Sequence, residues 1–244
     1  MREIRLYVDA TLAGVTTLKL PAEAAQHALR VLRLGVGHPL VLFNGDGCDY
    51  VGRIERIEGK TACVSLLEQR TLANESPCPL TLVQCLARGD KMDLVVQKAT
   101  ELGVARITPV VSERSGVHLE AARADKRLQH WQAIAISACE QCGRARLPRI
   151  DAPRTLDAWL TSLDAGPALR LALLPEPGPR IRDLHMPDAG ALLVVGPEGG
   201  FGERDKAALL SAGFTGMTLG PRILRTETAG LAALAAIHAC HGDG

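Results

Sequence analysis

The chain has 244 residues, a formal net charge of +1, 47% hydrophobic residues and only 3% aromatic ones. That length suits one large or two modest domains, the core must be aliphatic, and the near-neutral charge excludes a global pull toward nucleic acid or membrane. Arginine far outnumbers lysine, so any nucleic-acid footprint is expected to be local, built from guanidinium forks on phosphate. The seven cysteines, Cys48, Cys63, Cys78, Cys85, Cys139, Cys142 and Cys240, are an odd number. The start, MREIRLYVDA, has no signal-peptide apolar core, and no apolar run is long and charge-free enough to span a bilayer. A soluble cytoplasmic protein with reduced thiols is expected.

In chain order, Ile4–Val8 alternates and predicts a strand. Pro21–Leu34 predicts a helix, with Pro21 at a natural first position and Ala24, Ala28, Val31 and Leu32 as its apolar stripe. Pro39–Asn44 is an apolar strand, Gly45-Asp46-Gly47 a tight turn and Cys48–Ile57 the return strand. Glu58-Gly59-Lys60 turns into Thr61–Leu67. Short strands with one early helix suggest a small barrel of about seventy residues. Its arginines, among them Arg5, Arg30 and Arg33, are either a solvated surface or a phosphate-tracking face.

Residues 71–79, TLANESPCP, form the best linker: polar, with two prolines, between two kinds of pattern. Beyond it strands alternate with helices, the mark of an α/β fold. Leu80–Leu86 is a buried strand; Asp90 is placed to cap a helix over Lys91–Leu102, ended by Gly103. Ile107–Val111 is a strand and Glu120–Cys142 a long helix. Ala168–Leu174 and Ala191–Val195 are near-continuous apolar runs, as in parallel strands covered on both faces. Arg204–Ala212 is a helix and Thr215–Leu219 a last strand. Thr226 is placed to cap a final helix, Glu227 falls in its first turn, and the alanine-rich run Ala229–Ala239 is expected to bury nearly all round, against core or a second subunit.

Three apolar strands stop in Pro- or Gly-containing loops: Leu174-Pro175-Glu176, Gly196-Pro197-Glu198 and Leu219-Gly220-Pro221. In an open parallel sheet such ends converge on one crevice. The stretch VGPEGG lacks the G-x-G-x-x-G dinucleotide pattern and the Gly-Lys-Ser/Thr of a phosphate loop. Cys139-x-x-Cys142 has no second Cys or His pair at zinc-ligand spacing and lies inside a predicted helix, so neither a metal nor a redox role is expected of it.

At these residues the chain resembles the RsmE-type ribosomal RNA (uridine-N3) methyltransferases of the SPOUT class. The resemblance runs through HALRVLRL (27–34), RGDKMDLVVQKATELGV (88–104), ITPVVSERS (107–115), ACEQCGRARLPRI (138–150), VGPEGGF (195–201) and LGPRILRTETA (219–229), and so covers essentially the whole chain. Cys142 departs from the small polar residue expected there. The resemblance implies a PUA-like RNA-binding β-barrel over residues 1–72 and, over 73–244, a SPOUT α/β-knot domain with a deep C-terminal trefoil knot. It implies S-adenosylmethionine as cofactor, a homodimer, no metal, and a uridine in 16S rRNA of the small ribosomal subunit as substrate. A knotted methyltransferase acting elsewhere on RNA, or a non-catalytic assembly factor, are the alternatives.

On that resemblance the cofactor pocket is expected to draw on Leu174 and Pro175, on Gly196, Glu198, Gly199 and Gly200, on Leu219, Gly220, Ile223 and Leu224, and on Thr228. Arg225 is assigned to stabilising the uracil anion and Glu227 to accepting its proton. Arg5, Arg30, Arg33, Arg88 and Arg222 are the expected RNA contacts.

Overall fold

Alternating apolar residues between Pro39 and Thr71 pair into the longest ladder of the chain, a hairpin whose strands are each 11 residues long. The computed structural model describes residues 3–116, 121–164, 166, 168–174 and 178–242. Two units emerge: residues 1–75 with 136–147, and residues 76–135 with 148–244. Residues 136–147 thus belong with the first unit although they lie far along the chain from its strands.

The first unit holds β1 (Arg5–Tyr7), β2 (Thr17–Lys19), β3 (Pro39–Phe43), β4 (Cys48–Glu58) and β5 (Thr61–Thr71), in the order β1-β3-β4-β5-β2. Only the β1–β3 pair is parallel. The β4–β5 ladder slips at Val51/Gly52 and at Ile54/Arg56, bulges that increase the twist of the sheet. Glycine is required at the first, since a Cβ on Gly52 would lie 2.5 Å from the Ser65 carbonyl oxygen. Leu6, Leu40, Leu42, Ile54 and Val64 fill the core with Ala24, Ala25 and Ala28. The helix predicted over 21–34 is broken: α1 spans Ala22–Gln26, a π-helical turn spans His27–Val31, and Arg33 then turns left-handed at φ 54°.

In the second unit β6 (Leu80–Cys85), β7 (Arg106–Val111), β8 (Arg149–Ile150), β10 (Leu169–Leu173), β11 (Ala191–Val195) and β12 (Thr215–Met217) form a parallel sheet in the order β12-β10-β11-β6-β7-β8, and β9 (Arg154–Thr155) also pairs with β7. The helices are α2 (Lys91–Glu101), α3 (Ala121–Cys142), α4 (Leu156–Thr161), α5 (Glu203–Ser211) and α6 (Thr226–His241). Val95, Val96, Trp131, Leu234 and Ile237 from α2, α3 and α6 pack with Leu82, Ile107 and Leu193 of the sheet. Trp159, Leu209 and Phe214 pack with Val83, Ala172 and Val194, which point to the opposite face. Strands covered on both faces explain the continuous apolar runs of β10 and β11.

Two local expectations are corrected. Asp90 precedes α2 but its side chain makes no cap bond. Asp93 instead accepts hydrogen bonds from His130 Nε2 at 2.8 Å and Trp131 Nε1 at 3.2 Å. The second concerns Thr226, described below. Within the single chain one face of α6 is buried: Gly230, Ala233, Leu234, Ile237 and His238 face inward, whereas Ala235, Ala239 and Cys240 are exposed, and the expectation of burial against a second subunit concerns those three.

Asp151 ties β7 to the segment after β8. It accepts from Arg106 Nε at 2.7 Å and Nη2 at 2.9 Å, and from Thr108 Oγ1 at 2.6 Å. Burial works against its charge, but these bonds and the nearby Arg149 outweigh it and hold the carboxyl below its usual range. A lowered native pKa means that its stabilisation is complete above the unfolded value of about 4 and vanishes as pH falls through the native one. Asp151→Asn should therefore lower thermal stability at pH 7 and remove part of the acid-side decline, read by melting the variant and the parent between pH 7 and 2.

Candidate active site

Strands β12, β10 and β11 are neighbours, so the loops after Met217, Leu173 and Val195 leave the sheet side by side. Next to them β6 and β11 pair where the strand order changes direction, the usual place for a ligand crevice in a parallel sheet. The chain returns to this edge once more, at the start of α6.

A buried polar chain holds these pieces in register. Gln84, the penultimate residue of β6, is fully buried, and its Nε2 donates to Thr226 Oγ1 at 2.9 Å and to the Cys85 carbonyl at 3.1 Å. The Thr226 hydroxyl, having spent its acceptor side there, donates to the Gly196 carbonyl at 2.5 Å. Thr226 is therefore not the cap of α6. Arg225 occupies that position, with its carbonyl accepting from the Thr228 and Ala229 amides, and Thr226 begins the helix with its hydroxyl turned into the protein. Gly230 allows this approach, since a Cβ there would lie 3.1 Å from Gln84 Oε1 and 3.3 Å from Leu82 and Val195 side-chain carbons. Gln84 escaped sequence reasoning; a lone amide in an otherwise apolar strand was the available signal.

The glycine loop after β11 is built around left-handed turns. Gly200 has φ +67° and Gly220, in the loop after β12, φ +72°. A Cβ at either would meet nothing within 4 Å, so both glycines border open space where a ligand can approach main chain. Gly196 is different, because Phe201 lies 3.1 Å from its Cβ position. Leu174 is buried and packs with Gly216, while Leu219 and Leu224 are half-buried. Thr228 is exposed, Ile223 is 102% exposed and lines nothing in the single chain, and Pro175 lies outside the described residues. A lone loop leucine or isoleucine carries no sequence mark of which way it points.

Charges on this edge are sorted. Lys91 Nζ lies 2.8 Å from Glu198 Oε1 and 3.6 Å from Glu227 Oε2, linking the glycine loop to the first turn of α6. Glu198 also accepts from the Arg88 amide at 3.1 Å. Partial burial opposes ionisation of Glu198, yet the bonds from Lys91 and the backbone amides win and lower its pKa. Its bond to Glu198, with help from Glu227, raises the Lys91 pKa. Glu227 is nearly enclosed, with 13% of its side chain exposed, and its Oε2 accepts no hydrogen bond among the described residues. Arg222 and Arg225 are exposed on the loop before α6. Lys91, like Gln84, was not foreseen as part of the site; it reads as an ordinary helix-start charge.

Of the expected RNA contacts, Arg30, Arg33, Arg88 and Arg222 are exposed. Arg5 is not. Its guanidinium pairs with Asp49, donates to the Arg144 carbonyl at 3.0 Å and stacks over Phe43 at 4.8 Å, so it serves the first unit's interior and is withdrawn from the RNA-facing set. No group of three His, Cys, Asp or Glu side chains is gathered for a metal among the described residues. Burial pushes the Cys85 thiol up to about 12, and a hydrogen bond with Cys142 together with burial raises that of Cys139, which leaves both protonated at neutral pH.

Glycine turns at the carboxyl edge of a parallel sheet, in a chain that also carries a separate five-stranded unit, agree with what sequence comparison finds. The family model of an RNA methyltransferase domain matches residues 74–238, and that of an RNA methyltransferase PUA domain matches residues 20–67. These define the class: a SPOUT-type RNA methyltransferase with a PUA-like N-terminal domain. Ribosomal RNA small subunit methyltransferase E of Mycobacterium tuberculosis is 36% identical, over 95% of this chain and 89% of its own, and that of Buchnera aphidicola from Schizaphis graminum is 31% identical over 98% and 97%. A putative methyltransferase from Legionella pneumophila, solved with bound S-adenosylmethionine, matches with a TM-score of 0.94 at 38% identity over 100% of both chains. The Neisseria gonorrhoeae ribosomal RNA small subunit methyltransferase E, also bound to S-adenosylmethionine, gives 0.92 at 39% over 99% of each. The chain belongs to the ribosomal RNA small subunit methyltransferase E family.

Thr226→Val keeps shape and deletes the shared hydroxyl, leaving the Gly196 carbonyl and one Gln84 donor unpaired. It should cost about 1–3 kcal/mol of stability, and Thr226→Ser much less, when the two are compared by denaturant unfolding.

Proposed function

We propose that this protein transfers a methyl group from S-adenosylmethionine to N3 of a uridine in 16S rRNA of the small ribosomal subunit. The observation that carries the reading is the glycine turns at Gly200 and Gly220, open on their Cβ side, on the sheet edge where Lys91 links the first of these loops to Glu227, in a member of this family. These residues suit the cofactor: Gly200 and Gly220 expose main chain, and Leu174, Leu219 and Leu224 on the same loops supply apolar surface. When bound, S-adenosylmethionine supplies an electrophilic methyl on a sulfonium. Gly196, Gly199 and Gly200 with Leu219, Gly220 and Leu224 would hold it, and Glu198, neutralised by Lys91, would shape the loop. The segments 196–200 and 219–225 are read as the knotted loops expected of the class.

Uridine N3 attacks only after its proton has left. Glu227 is the proposed acceptor, because it is nearly enclosed and has an oxygen free of hydrogen bonds. As the N3–H bond breaks, negative charge spreads over the ring, and the exposed guanidinium of Arg225 is the proposed stabiliser. The N3–methyl bond then forms as the methyl–sulfur bond breaks, and Arg222 is proposed to steady the RNA. Residues 1–72 are proposed as the RNA-binding domain, through Arg30 and Arg33, and residues 73–244 as the catalytic one. The described residues include no helix long and apolar enough to cross a membrane, and work on ribosomal subunits would place the protein in the cytoplasm.

A homodimer completes the reading. Ala235 and Ala239 form an exposed apolar edge on α6, with Ala232 half-buried beside them, and Ile223 stands free just before the helix. A second copy would cover this edge. Ala235→Glu should shift the protein to monomers in light scattering; a dimer of unchanged stability would discard α6 as the interface.

Incubation with S-adenosylmethionine and small subunits lacking the modification should yield 3-methyluridine on nucleoside mass spectrometry. A ribose-methylated product would point instead to another RNA site. Arg225→Ala should lose turnover by at least about 100-fold, in line with removal of one oxyanion donor, while calorimetry shows S-adenosylmethionine still bound.

A further inference from the structure

We propose that Arg88 and Arg114 form a clamp for a backbone phosphate of the RNA, beside the glycine loop and separate from Arg222 and Arg225. The proposal rests on the reading that the substrate is RNA. Strands β11, β6 and β7 are adjacent and parallel, so the residues that follow each of them emerge on one edge. β6 ends at Cys85 and β7 at Val111, which puts Arg88 and Arg114 at the same offset of three residues (88 − 85 and 114 − 111) beyond two neighbouring strands.

Both guanidiniums rest on main chain instead of on carboxylates. Arg88 lies over Gly116, where a Cβ would fall 2.1 Å from its Nη2 and 2.3 Å from its Nε. Arg114 packs its stem on Gly199, whose Cβ position lies 3.4 Å from Arg114 Cβ, and its Nη1 reaches the Gly199 carbonyl at 3.4 Å. Each is exposed, and neither forms an ion pair among the described residues.

Among the described residues neither guanidinium is paired with the acids nearby, of which Asp90 and Glu113 are exposed. Glu198 is held by the Lys91 ammonium and by the main-chain amide of Arg88, so the Arg88 side chain is not needed to neutralise it. Asp205 is buried and accepts from the amides of Glu113 at 3.1 Å and Gly202 at 3.3 Å. The Glu113 carboxylate lies against Gly202, where a Cβ would fall 1.9 Å from its Oε2. Two oriented forks with uncompensated charge suit a phosphate, which guanidinium planes bind through paired N–H donors. Such a contact fixes the strand without reading its sequence.

The test uses the full-length protein with small ribosomal subunits and with an unrelated single-stranded oligoribonucleotide, between 50 and 200 mM salt. Arg88→Ala and Arg114→Ala should each lower the slope of log affinity against log salt by about 0.7, equivalent to about fivefold weaker binding at 0.1 M. The loss should be the same for both RNAs. Gly116→Ala changes no charge and has ordinary backbone angles, yet it displaces the Arg88 head. It should weaken binding in the parent and add nothing in Arg88→Ala. Calorimetry with S-adenosylmethionine checks that each variant is folded. Unchanged slopes in both arginine variants overturn the clamp, as does a loss confined to the ribosomal subunit. A parent protein that binds RNA with these slopes but makes no methyluridine overturns the proposed function and leaves the clamp. Normal methylation with unaltered slopes in the variants does the reverse.

Discussion

One hydroxyl organises the catalytic unit. Thr226 has a single proton to give and gives it to the Gly196 carbonyl, so it meets Gln84 only as an acceptor. That fixes the Gln84 amide, and with it the relation between the end of β6, the glycine loop after β11 and the first turn of α6. Unpaired polar groups in so enclosed a setting lose water without replacement, and this polar chain carries one such atom, Gln84 Oε1, which has no hydrogen-bond partner among the described residues. Arg225, one residue before Thr226, and Glu227, one after, inherit their positions from it. The proposed roles of these two residues, a cation and a base near one ring nitrogen, would depend on such fixed spacing.

The charges above this chain follow a second rule. Two of its negative groups are held locally, Glu198 by Lys91 and an amide and Asp205 by amides alone. Positive groups on the same edge are left exposed, namely Arg88, Arg114, Arg222 and Arg225. A protein with a net charge of only +1 can thus present a locally positive rim, which the overall composition conceals.

Much of the fold was legible because parallel strands leave a strong mark. The runs at β10 and β11 are apolar on both faces, and the structure places them within one or two residues of expectation. Three short elements, β2, β8 and β9, left no readable pattern in the sequence. The early helix was misjudged in kind: its apolar stripe is continuous, but a π-helical turn changes the backbone without changing composition. In the site, the glycine turns were readable from residue type. The inward turn of Thr226, the outward turn of Ile223 and the burial of Arg5 were not, because each is decided by partners distant in sequence: Gln84 is 142 residues from Thr226, and the Arg144 carbonyl 139 from Arg5.

The first unit is discontinuous, and that constrains how it can be made. Arg144 donates from Nε to Glu75 Oε1 at 3.1 Å, Asn74 Nδ2 reaches the Gly143 carbonyl at 2.9 Å, and Phe43 packs with Cys139 and Ala145. During synthesis none of these contacts exists until residues 136–147 have emerged, well after all five strands of that unit. The amino-terminal module must therefore wait, partly assembled, while β6, β7 and most of α3 are translated. Its completion is a late event in vectorial folding, although its strands come first along the chain.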